Sequence, residues 1–387
     1  MLDSEDEDIL EDGSSSISRL NAFKYAGPAA STPAAAGLSE EDLENATVIA
    51  TFPLPEDPTL LPVPSNYAEA HASTESQEWD DAIMSEWRSH QENQTWEVVQ
   101  KKDIPPGRKP LTVRLVYRRK IGKDGKVSKY KVRLVARGFQ QREGFDFTET
   151  YSGVVKTAAY RTIFALMAAL GWKCHQMDFV TAFLNGGLEE VIHMRLPPGL
   201  PCTMNGEEVF VRLLKGLYGL KQSLRVWYRA LREWLLAHGW QVSQFDECVF
   251  YYKDRALLMP VYVDDINIFG KDEQAIVAFK KELLASFRLT DEGEVAYYLG
   301  MQVVHTPDGL HIHQGNHIKQ MLRKYGLDIG YTRGTPLDPT KDLIEETEKT
   351  ASADFKHLYL AKVGTLNYFA CKTRADITSA VSIAVCF

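Results

Sequence analysis

Two aspartates side by side constrain this chain more than any other feature. Asp264 and Asp265 separate the apolar run Leu258 to Val263 from the run Ile266 to Phe269. Val261, Val263, Ile266 and Ile268 favour extended backbone because their branched side chains fit a pleated surface. The pattern predicts a strand, a tight turn and a second strand, with both carboxylates at the tip. Adjacent anions repel, so the pair persists in a fold that supplies something positive. Hard oxygen donors of this kind suit Mg²⁺. Taken alone, the pair also fits a solvated acidic turn, since aspartate is common in turns.

Charge is distributed unevenly. Residues 1–80 hold 17 acidic and 2 basic side chains, whereas the remainder holds 35 acidic and 42 basic. The net charge of −8 therefore conceals a basic body behind an acidic leader. Residues 101–145 carry 15 Lys or Arg against 3 Asp or Glu. A block of that density suits phosphate binding, and it also fits a merely solvated lysine-rich face. The five cysteines are scattered without a Cys-x-x-Cys pair, so neither a disulfide framework nor a zinc site is indicated. A reducing, intracellular setting follows. No run of 18 apolar residues marks a membrane span.

In chain order, residues 1–75 are rich in Ser, Ala, Pro and acid and are expected to lack order. Residues 76–92 predict an amphipathic helix, with Trp79, Ile83 and Trp87 four apart. A strand is expected from Asn93 to Val99. Residues 113–120 and 128–137 flank Lys123-Asp124-Gly125-Lys126, a hairpin signal. In the second arm Lys129, Lys131, Arg133 and Arg137 share one face by period two. A helix runs to Leu170 and stops at Gly171, with Arg161 read either as a helix-cap partner or as a template contact. A short strand from Lys173 leads to Asp178. Asn205-Gly206 marks another hairpin. Further helices are expected over 225–238, 272–287, 314–325, 358–368 and 375–386, and strands over 256–263 and 297–303.

Three stretches taken together are specific. Cys174 to Gly186 contains Asp178, Leu213 to Ser223 reads Leu-Leu-Lys-Gly-Leu-Tyr-Gly-Leu-Lys-Gln-Ser, and Tyr262-Val263-Asp264-Asp265 follows. Their order and spacing resemble the polymerase of Ty1/copia-type retrotransposons over about residues 80 to 387. The resemblance implies an α+β right-hand polymerase fold with fingers, palm and thumb and a small antiparallel palm sheet. It places fingers and palm in 76–300 and a thumb or connection in 301–387. The implied activity is RNA-directed DNA synthesis. Its partners are an RNA or DNA template with its primer, deoxynucleoside triphosphates and other Pol and Gag products, with no membrane. The setting is an element particle in the cytoplasm, or the nucleus.

Site residues follow from the same resemblance. Asp178, Asp264 and Asp265 would be catalytic and would hold two Mg²⁺ ions, with Mn²⁺ as a substitute, roughly 3.5–4 Å apart for in-line phosphoryl transfer. Lys131 and Arg133 would contact the triphosphate. Phe183, five residues after Asp178, would be a steric gate against a 2′-hydroxyl; otherwise it is a core phenylalanine opening a helix. Tyr218, Gly219 and Lys221 would line the nucleotide or templating base, with Gly219 permitting a close backbone approach. Gly300 and Met301 are candidates for gripping the primer, or members of an ordinary strand.

The chain also departs from the family's pattern. The family continues Ser-Pro-Arg-Ala-Trp where this chain has Ser223-Leu224-Arg225-Val226-Trp227. The family also goes on into a ribonuclease H domain, whereas this sequence stops at Phe387. Two rivals therefore stand beside the polymerase: an inactive, truncated element remnant, and an RNA-binding module indifferent to Mg²⁺.

Overall fold

The computed structural model describes residues 62–386, apart from 122–125, 201, 205–206, 308, 329, 331–333 and 338–351. Most of the stretch expected to lack order, 1–61, lies outside the described residues, as do the centres of the two expected turns at 122–125 and 205–206. That expectation fails in its last part. Helix α1, Tyr67–Ala72, forms there because the Asn66 side chain accepts the Glu69 amide and Ala70 is fully buried.

Helix α2 spans Ser76–Glu92, as the periodicity predicts. Its stripe of Trp79, Ile83 and Trp87 is buried against a hairpin. After strand β1, Trp96–Gln100, that hairpin is made by β2, Val113–Ile121, and β3, Val127–Ala136, paired antiparallel. Trp79 meets Tyr117 edge-on at 5.3 Å, and Glu75 is paired with Arg119. Helix α3, Thr157–Leu170, ends at Gly171, whose φ of 64° closes the last turn. Arg161 donates to the Cys371 carbonyl at 2.9 Å and to that of Lys372. It therefore acts as a helix-cap partner, for a helix 210 residues further on.

Strand β4, Lys173–Phe179, is followed by a 3₁₀ turn, Ala182–Asn185, and then by β5, Gly187–Arg195. Strands β6, Thr203–Met204, and β7, Glu207–Lys215, come next. β7 lies between β1 and β5, which forms one sheet. Helix α4 spans Ser223–Ala237 and buries Trp227, Leu231 and Leu235. It begins at Ser223 without the proline at 224. The Ser223 hydroxyl donates to the Leu217 carbonyl at 2.6 Å and accepts the Leu217 amide at 2.9 Å, which fixes the start of the helix.

Strands β8, Gln241–Val242, β9, Val249–Tyr252, β10, Leu257–Tyr262, and β11, Asp265–Gly270, follow. Helix α5, Glu273–Ser286, leads to β12, Leu289–Glu294. Together these strands and β4 build a six-stranded antiparallel sheet in the order β12-β4-β11-β10-β9-β8. Side-chain alternation divides its two faces. Met177, Ile266 and Ile268 join a core with α4 and α5, whereas Cys174 and Phe269 join a core with α3. A three-stranded sheet covers this second face. Its strands are β13, Tyr297–Tyr298, β14, Met301–Thr306, and β15, Gly309–His313. Helices α6, Gly315–Lys324, α7, Ala353–Lys372, and α8, Thr378–Val385, complete the described chain. α7 is longer than 358–368 at both ends because Ser352 caps it at the front and Arg161 at the back. The fold is α+β with antiparallel sheets. Among the described residues no helix is long and apolar enough to cross a membrane.

Candidate active site

The acidic pair sits where the apolar runs predict. β10 and β11 pair through Tyr262 and Asp265, so Val263 and Asp264 are the two central residues of the turn. Val263 has φ 58°. A two-residue turn with positive φ at its first central position normally takes glycine there. A β-branched residue in that region costs on the order of 1–3 kcal/mol and persists only where its surroundings impose it.

Two clamps impose it. The Trp227 indole donates to the Val263 carbonyl at 2.8 Å, and the Phe179 amide donates to the Asp264 carbonyl at 2.9 Å. Trp227 is itself held edge-on by Phe179 at 4.7 Å. Neither clamp is visible in the sequence. Trp227→Phe keeps a ring of similar shape but leaves a buried carbonyl unmatched, at a cost of about 1–3 kcal/mol. The expected result is a lower denaturant midpoint, because the turn relaxes.

The third carboxylate arrives by strand register. Asp178 on β4 pairs directly with Asp265 on β11, so both side chains project from one face of the sheet. Burial raises the pKa of all three aspartates. For Asp178, repulsion from Asp264 adds to burial, while Lys131 and Lys120 oppose it. For Asp264, its own backbone, Arg133 and Lys131 oppose burial. Asp265 is pushed up to about 7 by burial and then by Asp264 and Asp178, with a hydrogen bond from Gln176 opposing. The structure thus brings Lys131 and Arg133 of the basic strand to the carboxylates. Lys131 is in turn pulled below its usual range by burial and by the like charges of Arg133 and Lys120.

This electrostatic strain has a sign. An unfolded aspartate titrates near about 4. Between there and about 7 the folded chain holds a proton on Asp265 that the unfolded chain lacks, so stability falls as pH rises through that window. Relative to Asp265→Asn, the unmutated protein should lose melting temperature between about pH 4 and about pH 7. Parallel melting curves for the two proteins would contradict the assignment.

The remaining candidates separate. Phe183 lies in the 3₁₀ turn after β4 and is partly exposed, while its neighbours Ala182 and Leu184 are buried. Its side chain also packs against the core that α4 and α5 share with the six-stranded sheet. Its ring meets Tyr218 edge-on at 4.7 Å, and the Arg133 guanidinium lies 4.9 Å from the centre of the Tyr218 ring. These three residues form one chain of contacts, and Tyr218 and Arg133 both lie close enough to Asp264 to feel its charge. Lys221 does not join them; its ammonium lies over the Phe147 ring at 4.7 Å. The close approach at Gly219 is made by the chain itself. A side chain at this position would meet the Ala136 carbonyl oxygen at 2.0 Å.

Sequence reasoning also missed the tie between the basic hairpin and the 216–223 loop. Gln141, almost wholly buried, donates to the Gln222 side chain at 2.9 Å and accepts the Lys221 amide at 2.8 Å. Gln222 donates to the Asp146 carbonyl at 2.8 Å.

Known proteins are similar to this chain over most of its length. The family described as reverse transcriptase (RNA-dependent DNA polymerase) matches residues 93–339. A retrovirus-related Pol polyprotein from transposon TNT 1-94 of Nicotiana tabacum is 33% identical over 329 residues, covering 83% of this chain and 24% of the relative. The corresponding polyprotein from transposon RE1 of Arabidopsis thaliana is 33% identical over 311 residues, covering 79% and 20%. The transposon Ty1-OR Gag-Pol polyprotein of Saccharomyces cerevisiae is 25% identical over 326 residues, covering 78% and 18%. The chain spans less than a quarter of the length of each of these three.

Proposed function

The chain belongs to the reverse transcriptase (RNA-dependent DNA polymerase) family, and on that premise we propose that it extends a primer on an RNA template by adding deoxynucleotides. The observation that carries this reading is the register that sets Asp178 opposite Asp265, beside Asp264 in a clamped turn and under two cations. On this reading the six-stranded sheet is the palm, the β2–β3 hairpin with α2 is the fingers, and the helices beyond 301 form the thumb or connection.

The donor set fits Mg²⁺. Asp178 and Asp264 offer hard oxygens that repel one another until a cation neutralises them. Among the described residues no three His, Cys, Asp or Glu side chains form a cage by themselves. Asp178 and Asp264 would hold the metal, with Asp265 supporting their field. When bound, Mg²⁺ supplies charge neutralisation at the primer 3′-hydroxyl and at the triphosphate. The protein contributes position: Trp227 and Phe179 fix the turn, Lys131 and Arg133 bind the triphosphate, and Phe183 lies under the incoming sugar.

The test is primer extension on an RNA template with Mg²⁺ and either deoxy- or ribonucleotides. Extension with deoxynucleotides alone is expected. Phe183→Val should admit ribonucleotides and reduce the preference by about 10–200-fold, the range that one apolar contact usually controls. A soluble, folded protein that extends no primer would refute the assignment.

A further inference from the structure

We propose that Tyr218 is the residue that holds the sugar gate in place, and that Arg133 ties this gate to the triphosphate-binding strand. The inference rests on the reading of Phe183 given above. Phe183 sits on a short 3₁₀ turn, partly exposed and packed against the core that α4 and α5 share with the six-stranded sheet. Tyr218 adds a directional contact. Its ring stands at 79° to that of Phe183 with centroids 4.7 Å apart, an edge-to-face contact that fixes direction as well as distance.

Tyr218 has little room to retreat. Its carbonyl accepts the Ala136 amide at 2.8 Å, and the next residue, Gly219, is wedged against the Ala136 carbonyl. The Arg133 guanidinium carbon lies over the ring, 4.9 Å from its centroid. Arg133 therefore lies against Tyr218, while its buried Nε–H has no hydrogen-bond partner among the described residues. A planar guanidinium can stack and donate in its plane at once, which a lysine cannot do. An anion bound in that plane would hold Arg133 on Tyr218, and Tyr218 on Phe183. A nucleoside triphosphate carries both halves of the signal: the phosphates that Arg133 would bind and the sugar that Phe183 would inspect. Tyr218 is in this sense a positioning residue and takes no part in the chemistry.

The experiment measures kcat and KM separately for a deoxy- and a ribonucleotide, in single-nucleotide extension by Tyr218→Phe, Tyr218→Leu, Phe183→Val and the Phe183→Val/Tyr218→Leu double variant. Tyr218→Phe keeps the ring and should keep the unmutated preference. Tyr218→Leu should lower the preference about tenfold, through better use of the ribonucleotide, since the lost contact is a single apolar one. In the double variant Tyr218→Leu should add nothing, because its effect passes through the ring already removed. Arg133→Lys, which keeps the charge and loses the flat surface, should shift the preference in the same direction as Tyr218→Leu. Unchanged preference in Tyr218→Leu beside a lost preference in Phe183→Val would overturn the proposal and leave the gate standing. Multiplying effects in the double variant would overturn it as well. Unchanged preference in Phe183→Val would strike the gate itself.

Discussion

Asp264→Asn is expected to abolish primer extension and, in the same protein, to raise thermal stability. The two effects have one cause. Asp264 is half-buried beside Asp178 and Asp265 and raises the pKa of both. Asparagine keeps the size of the side chain and removes the charge, so the repulsion among the carboxylates falls. The turn survives, because its clamps grip the backbone carbonyls of residues 263 and 264 and not the carboxylate. A gain of about 1 kcal/mol would raise the melting temperature by roughly 1–2 °C in a chain of this size.

Activity moves the other way. A metal-stabilised transition state is worth several kcal/mol, and each 1.36 kcal/mol is tenfold in rate, so a loss of about 10³-fold or more is expected. Asp178→Asn should behave alike. The measurement is a pair: melting without metal, and extension with Mg²⁺. A variant that retains full extension would end the catalytic assignment. A variant that loses both extension and stability would show that Asp264 serves the fold, and that the carboxylates are not held together against their own repulsion.

What the sequence made legible was mostly local. The hairpin at 258–269 announces itself through two apolar runs around an acidic pair, the helix at 76–92 through a period of 3.6, and the basic arm with Lys131 and Arg133 through a period of two. Asp178 gained meaning only from its order and spacing relative to the later pair. What stayed hidden joins residues far apart in the chain. Trp227 grips a turn 36 residues later, and Gln141 grips Gln222 across 81 residues. Arg161, ambiguous in sequence, is resolved by carbonyls at the end of a helix that no local pattern connects to it. Lys221 shows the same limit in reverse. Its place in a specific motif suggested the nucleotide, yet the Phe147 ring, brought near by the fold, takes its ammonium.

Gly219 is the position where motif and fold are most easily confused, and it gives the second large effect. The motif suggests a glycine that makes room for substrate. The structure shows a crossing of two main chains. Gly219 has φ 88°, and a Cβ there would lie 2.0 Å from the Ala136 carbonyl oxygen and 2.8 Å from a Val135 methyl. Gly138 returns the constraint, since a Cβ on it would lie 2.0 Å from the Gly219 carbonyl oxygen. The obstacle is backbone in both directions, so no side-chain rotation relieves it. Gly219→Ala should therefore incur a left-handed backbone cost of about 1–2 kcal/mol and an overpacking cost of about 1–3 kcal/mol. Gly107→Ala is the control: its φ is 81° and nothing lies within 4 Å of its would-be Cβ, so it carries the first cost without the second. Denaturant unfolding of the two variants isolates the crossing. Gly219→Ala should be the less stable by about 1–3 kcal/mol and should also weaken triphosphate binding, because Ala136 ends the strand that carries Lys131 and Arg133. If the two variants unfold alike, the crossing does not hold the basic hairpin over the carboxylates, and the room at Gly219 belongs to the substrate after all.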